Sequence, residues 1–427
     1  MDVKDANNRW DPCYVDDIEN YDGFTSRENL LRIQRNDPSL HGVRVRIDNG
    51  HPNVPLRGDS AEALGRGIGN NIHLRELELT SGAGINYCYG GKEAFLLLCE
   101  GISQNRSIET VSFVDHYARF GADLIQSLTP FFEHNNNLKS ITFRGTDTTS
   151  SLLVAPLMRR VTPLETLDLG SSLVDSESVE ALVAALQDNP TMTPKSICLR
   201  NNFIFTDACR SLATLLQDPR CKLEILDLSF NTLDDSSAIL FANALIGNTN
   251  LKQFIMKDKD EDEENDDALK TSGFRAFSQT LCNTTNINTT YASNHTLQVL
   301  HCKGNLEYDL DYDSDDDTET ELELHSDISQ YLIWNSNENK KIVARKKVFM
   351  KHFVNNFTME PFEGMEPELL VCVLHFMDKA SEENGGVTNT TARNLILTQL
   401  ITKDPMICDI AKPGPLQGVS DRKRKHK

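Results

Sequence analysis

Three places in the chain hold residue types that could do chemistry. The glycine-rich run Gly82-Ala-Gly84-Ile-Asn-Tyr-Cys-Tyr-Gly90-Gly91-Lys92-Glu93 invites comparison with a phosphate-cradling loop. That motif, G-x-x-x-x-G-K-[ST], needs a glycine for the tight turn and a hydroxyl after the lysine to hold magnesium. Asn86 and Glu93 stand in those two places, so the run reads as a loop without phosphate chemistry. A calcium loop starting at Asp309 would place Asp311, Asp313 and Asp315 correctly. It fails at Ser314, where a glycine must turn, and at Thr320, where a bidentate glutamate is required. His295, His301 and Cys302 with Cys282 form the one His/Cys cluster. His301 and Cys302 are strand neighbours and face opposite sides, which a tetrahedral metal cannot use. The ten cysteines contain no C-x-x-C pair, and neither H-E-x-x-H nor G-x-S-x-G occurs. The sequence therefore assigns no catalytic residue, no cofactor and no metal site, and predicts a protein that is not an enzyme.

Whatever the chain does must then come from its surfaces, and the elements that build them follow from length and charge. A chain of 427 residues outgrows one compact core, so it is several domains or a repeat array. The net charge of -20 is local. Residues 258–267 contribute -7 and residues 307–327 contribute -11, which leaves the remaining surface nearly neutral. Such blocks repel themselves and are expected to stay unfolded as an acidic insertion and an acidic linker. An acidic chain excludes nucleic acid and anionic membrane as general partners. No apolar run approaches the roughly 20 residues of a membrane span. The first ten residues hold no apolar signal segment, which predicts a cytoplasmic or nuclear, unsecreted protein with reduced cysteines.

An apolar-x-x-apolar-x-apolar core recurs along the first two thirds. Its middle residues are Val43, Leu77, Val111, Ile141, Leu167, Ile197, Leu226, Phe254 and Leu300. Helix-period apolar patterns lie between the cores, such as Val179, Leu182, Val183 and Leu186, and most close on Asn or Asp-Pro. One short strand and one helix per unit, at a period near 29 residues, is leucine-rich-repeat arithmetic. The clearest copies are Leu226-Asp-Leu228-Ser-Phe-Asn231-Thr-Leu233 and Ile197-Cys-Leu199-Arg-Asn-Asn202-Phe-Ile204. On these residues the chain resembles the ribonuclease-inhibitor-like class of leucine-rich-repeat proteins, which includes the RanGAP proteins and the sensing halves of innate-immune receptors. The resemblance implies an α/β solenoid, a horseshoe with parallel strands on the concave face and helices on the convex face. Ser172, Thr146 and His116 replace the asparagine that closes each turn, which is expected to weaken the backbone ladder. Loops are expected at Gly50 to Gly58, Gly82 to Gly91 and Asp258 to Asp267.

In such a solenoid the residues flanking the buried strand positions face the concavity. Here they are small, polar and mixed in sign, with Arg144, Asp168, Arg200 and Asp227 among them. Gripping a basic ribonuclease favours an acidic, aromatic-rich face, and neither Trp10 nor Trp334 lies on a strand, so ribonuclease inhibition is a weak alternative. Aromatics gather instead on the loops after the strands. Tyr87, Tyr89, Tyr117, Phe203, Phe205 and Phe230 could anchor a partner at one rim. Candidate partner-binding residues are therefore Tyr87, Tyr89, Tyr117, Phe203, Phe205, Arg144, Arg200 and Asp227.

The organisation expected is an N-terminal cap over 1–39, repeats over 40–306, the acidic linker over 307–327, a helical C-terminal module over 328–411 and a basic tail over 412–427. The module opens with a basic helix over about 337–353, with Ile342, Phe349 and Phe353 as its apolar side and Lys347 among its surface lysines. Helices are expected to follow around Leu370 to Met377 and Leu397 to Ile401. With Leu281-Cys-Asn-Thr-Thr and Ser293-Asn-His-Thr-Leu297, this part resembles uncharacterised algal leucine-rich-repeat proteins, which implies no activity. Arg422, Lys423, Arg424, Lys425 and Lys427 form a candidate nuclear import signal. The function expected is a monomeric protein-interaction scaffold with an unidentified protein partner. RanGAP proteins resemble this chain in pairing a solenoid with an acidic segment, which implies a GTPase-activating role toward a Ran-type small GTPase as the alternative. Immune-type sensing is a weaker one.

Overall fold

The structure is a computed structural model. It describes residues 13–17, 26–47, 58–81, 91–114, 121–145, 155–257, 271–302, 316–337 and 339–352. The expected loops at 50–57, 82–90 and 258–267, the helices beyond 353 and the basic tail lie outside them. The chain divides into two compact units, Met1–Leu281 with Thr296–Ser336, and Cys282–His295 with Asn337–Lys427.

The first unit is an open α/β solenoid of the kind leucine-rich repeats build. Its strands are β1 (Cys13–Asp17), β2 (Gly42–Ile47), β3 (Glu76–Ser81), β4 (Thr110–Val114), β5 (Ser140–Arg144), β6 (Thr166–Asp168), β7 (Ser196–Cys198), β8 (Ile225–Asp227), β9 (Gln253–Ile255) and β10 (Val299–His301), which pair in that order. The pairs from β2 to β10 are parallel. Each repeat marker sits opposite the next, from Val43 against Leu77 to Phe254 against Leu300. From Val43 through Phe254 these residues are at most 1% exposed. Each such burial stabilises by about 1.5–3 kcal/mol relative to exposure, and no repeat achieves it without its neighbours. The helices between strands are α1 (Ser26–Gln34), α2 (Gly58–Asn70), α3 (Gly91–Ile102), α4 (Gly121–His134), α5 (Ser176–Asp188), α6 (Thr206–Gln217), α7 (Asp235–Leu245) and α8 (Thr271–Leu281). The N-terminal cap is built by β1, which runs antiparallel to β2, and by α1.

Side-chain amides tie the turns together. At the helix-to-strand turns, Asn105 donates to Ile68 O and Asn71 O at 2.8 Å and accepts from the Ser107 and Ile108 N–H groups. Asn71, Asn135 and Asn248 repeat the device. The sequence reads these asparagines as helix stops. Their greater role is to satisfy backbone groups that would otherwise be buried without partners.

The acidic linker needs correction. Helix α10 (Asp316–Asn335) begins inside it and crosses the expected boundary at 327 without a break. The helix begins at Asp316, and the Glu/Leu run that follows has good helix propensity. Ile328, Tyr331, Trp334 and Asn335 form a buried stripe at helical spacing. The helix packs on α8, with the Phe274 and His325 rings 4.1 Å apart, and Asn335 donates to Leu297 O at 2.7 Å. It belongs to the repeat unit and closes its end.

In the second unit, α9 (Ile287–Tyr291) opens on a capping box in which Asn286 and Thr289 each accept from the other's backbone N–H. Helix α11 (Lys340–His352) occupies the place of the basic helix; of its expected apolar side, the Phe349 side chain and Phe353 lie outside what is described. Val343, Ala344, Lys347 and Val348 are buried, and Ile342 is exposed. Lys347, read from the sequence as a surface lysine, lies on that i, i+4 stripe and donates to Asn294 O at 2.9 Å. Burial pushes its ammonium down from 10.5 to about 7, the nearby Cys282 opposing and Lys340 reinforcing the shift. Burial, with Lys347 beside it, pushes His295 down to about 4. The unfolded chain keeps the lysine proton up to about pH 10.5 and the folded chain loses it near 7, so this group makes stability rise with pH between those values. The stability gap between wild type and Lys347→Met should therefore change across pH 7 to 10, by at most about 1.4 kcal/mol per unit. Urea titrations at several pH values would measure it, and a constant gap would contradict the burial of this amine.

Candidate rim site

After each of β5 to β8 the chain turns through a residue with positive φ at the same place. These are Gly145 (69°), Ser171 (55°), Asn201 (53°) and Phe230 (59°), and after β6 Leu173 (54°) is a second. Backbone hydrogen bonds of 2.7–2.8 Å continue the ladder past the strands, from Gly145 N to Ser171 O, Ser171 N to Arg200 O, Asn201 N to Ser229 O and Phe230 N to Lys257 O. Beneath them Asn202 donates to Leu169 O and Leu199 O, and its Oδ1 accepts from Ser172 N and Val174 N. Asn231 repeats this one turn on, toward Leu199 O and Leu228 O. Ser172, expected to weaken the ladder, instead extends it, because its hydroxyl donates to Phe143 O at 2.9 Å. Thr146 and His116 lie outside the described residues.

These turns surround a cavity of about 450 Å³ lined by Arg144, Asp168, Gly170, Ser171, Cys198, Arg200, Asn201 and Phe230. Asp168 accepts from Arg144 Nη2 at 2.9 Å and from Gly170 N at 2.9 Å. The same carboxylate, by hydrogen bond and charge, pushes the Arg144 guanidinium up from its ordinary value. Arg200 stacks on the Phe230 ring with its guanidinium carbon 4.2 Å from the centroid. Burial pushes the Cys198 thiol up to about 12, so it is neutral at physiological pH. A half-buried, protonated thiol is a poor nucleophile, and the cavity is suited to recognition.

The outer side of the same turns is apolar. Leu173 is 48% exposed, Phe203 55% and Phe205 52%. Phe205 also breaks a local rule. Helix α5 is capped by Asp175 and α7 by Asp234, whose carboxylates accept from Ser178 N at 2.9 Å and Ser237 N at 2.8 Å. The Ser178 hydroxyl and N–H hold the Asp175 carboxyl below its usual range. Phe205 takes the equivalent place before α6 in the same extended conformation, φ -113° and ψ 175°, with no side-chain cap. An uncapped helix forgoes about 1 kcal/mol. With 52% of its surface exposed, the phenylalanine recovers only part of it through burial.

Of the residues singled out from sequence, Arg144, Arg200, Phe203, Phe205 and Asp227 lie on neighbouring repeats. Arg144 and Arg200 line the cavity, while Phe203 and Phe205 stand on the outer side of its turns. Asp227 is committed to its own turn, since its carboxylate accepts from the Ser229 N–H and hydroxyl. Tyr87, Tyr89, Tyr117 and the residues of the basic tail lie outside the described residues. Leu173, with φ 54°, is absent from the sequence-derived set because a lone leucine in a leucine-rich chain carries no signal. Phe230 is legible as a loop aromatic, but its role as a platform for Arg200 is not. Among the described residues no group of three or more His, Cys, Asp or Glu could hold a metal ion, and no helix is long and apolar enough to cross a membrane. Neither a protein-family model nor a curated protein matches the chain.

Proposed function

We propose that the chain is a non-enzymatic interaction scaffold that holds a protein partner on the rim formed by the turns after β6, β7 and β8. The observation that carries this reading is Phe205. A sequence that caps the helices on either side with aspartate, yet exposes a phenylalanine at the same place between them, sacrifices stability locally. Such departures from local consistency concentrate at functional positions. Leu173 and Phe203 lie one after the other in successive repeats, and exposed aromatics are the usual anchors of protein interfaces. The mixed-sign cavity beside them supplies polar contacts.

The experiment is affinity capture with wild type and with Phe205→Asp from the same cell extract. Proteins retained by the wild type and lost with the variant are expected. Identical sets from both would remove the rim from the account. The variant restores the aspartate that α5 and α7 carry, so a loss of capture cannot be ascribed to unfolding.

A further inference from the structure

The cavity wall holds one guanidinium that no described residue neutralises. Arg144 is paired with Asp168 at 2.9 Å, whereas Arg200 lies over the face of Phe230 and has no ion pair among the described residues. That contact is built at a cost. Ser171, Asn201 and Phe230 occupy the same turn position with φ between 53° and 59°, a conformation asparagine tolerates and phenylalanine resists by about 1–2 kcal/mol. The strain places an aromatic ring under the guanidinium of Arg200, a residue that lines the cavity. The nearby thiol of Cys198 is neutral, so it offers Arg200 no counter-charge.

Resting on the reading of the rim as a partner surface, we propose that this cavity seats an aspartate or glutamate side chain from an extended acidic segment of the protein partner, with Arg200 as its ligand. A planar guanidinium matches one carboxylate in a two-point hydrogen-bonded pair, and stacking on Phe230 pre-orients it. A polyphosphate such as nucleic acid needs several unpaired cations, and Arg144 in this wall is already taken up by Asp168. Exposed Leu173, Phe203 and Phe205 on the same turns suit a segment that alternates acidic and apolar residues, whose side chains point to opposite sides.

The test is fluorescence anisotropy of a labelled octapeptide of alternating aspartate and leucine, added to the full chain, with a lysine–leucine peptide as the counterpart. The acidic peptide is expected to bind and the basic one not. Arg200→Gln is expected to weaken binding by about tenfold or more, the scale of one charged two-point contact. Phe230→Asn should weaken it as well while raising the unfolding midpoint, because the strained turn relaxes. Equal binding by wild type and Arg200→Gln, or by both peptides, overturns the proposal. Displacement by low millimolar inorganic phosphate assigns the cavity to phosphate and overturns it too. If Phe205→Asp abolishes partner capture while Arg200→Gln leaves peptide binding intact, the rim stands and the carboxylate site falls. If neither variant has an effect, both fall.

Discussion

Gly101→Ala is expected to destabilise the N-terminal repeats by about 3 kcal/mol or more, although it replaces the poorer helix former with the best one. Helix propensity alone favours alanine by about 1 kcal/mol. Packing decides the opposite. Gly65, Gly69 and Gly101 let α2 and α3 approach at backbone distance, and a Cβ on Gly101 would lie 2.6 Å from Arg66 N and 2.7 Å from Gly65 Cα. One on Gly65 would meet Leu98 O at 2.5 Å. The obstacles are backbone atoms, which no rotamer change moves, so the helices must separate and give up contacts along their length. Overpacking usually costs about 1–3 kcal/mol, and a backbone clash belongs at the upper end or beyond. Gly247→Ala is the control, since an added Cβ there meets nothing within 4 Å. Hydrogen exchange should show α2 and α3 losing protection in Gly101→Ala, with α6 and α7 retaining theirs, because solenoid repeats couple only to their neighbours.

Arg160→Met is expected to cost about 4 kcal/mol. At four helix-to-strand turns an asparagine holds the backbone, and before β6 a guanidinium does that work. Arg160 is 5% exposed and donates to Phe132 O, to Asn135 O at 3.2 Å, to Leu138 O at 2.8 Å and from Nε to Thr162 O at 3.1 Å. Burial pushes it down to about 10, which leaves it charged at neutral pH. Methionine fills similar volume and strands four carbonyls, each costing about 1 kcal/mol or more when left without a partner. Arg160→Lys keeps the charge but cannot span the fork, so it should recover less than half the loss. Equilibrium unfolding in urea measures both variants.

The order and register of β2 to β10 are legible, because one apolar residue per repeat at near-constant period leaves a single way to stack the units. Val43 through Leu300 pair as their spacing requires. Three features are not. β1 is a five-residue strand without apolar alternation, held by its pairing with β2 and not by its own pattern. The helix α10 was hidden by a charge count that ignored the apolar stripe from Ile328 to Trp334 downstream of the acids. Lys347 reads as a surface residue because its charge outweighs its position on the stripe. At the rim, Phe203 and Phe205 were visible as loop aromatics. What makes Phe205 informative is the missing cap, and that emerges only when three turns are superposed.

The central claim is that Phe205 is kept for a partner and at the expense of the fold. The direct measurement is one variant, Phe205→Asp, assayed in parallel for unfolding free energy and for retention of the partners captured by wild type. The account predicts a gain of about 1 kcal/mol in stability, from a carboxylate accepting the Ala208 N–H, together with loss of those partners. A variant that is less stable than wild type, or that retains every partner, would contradict it.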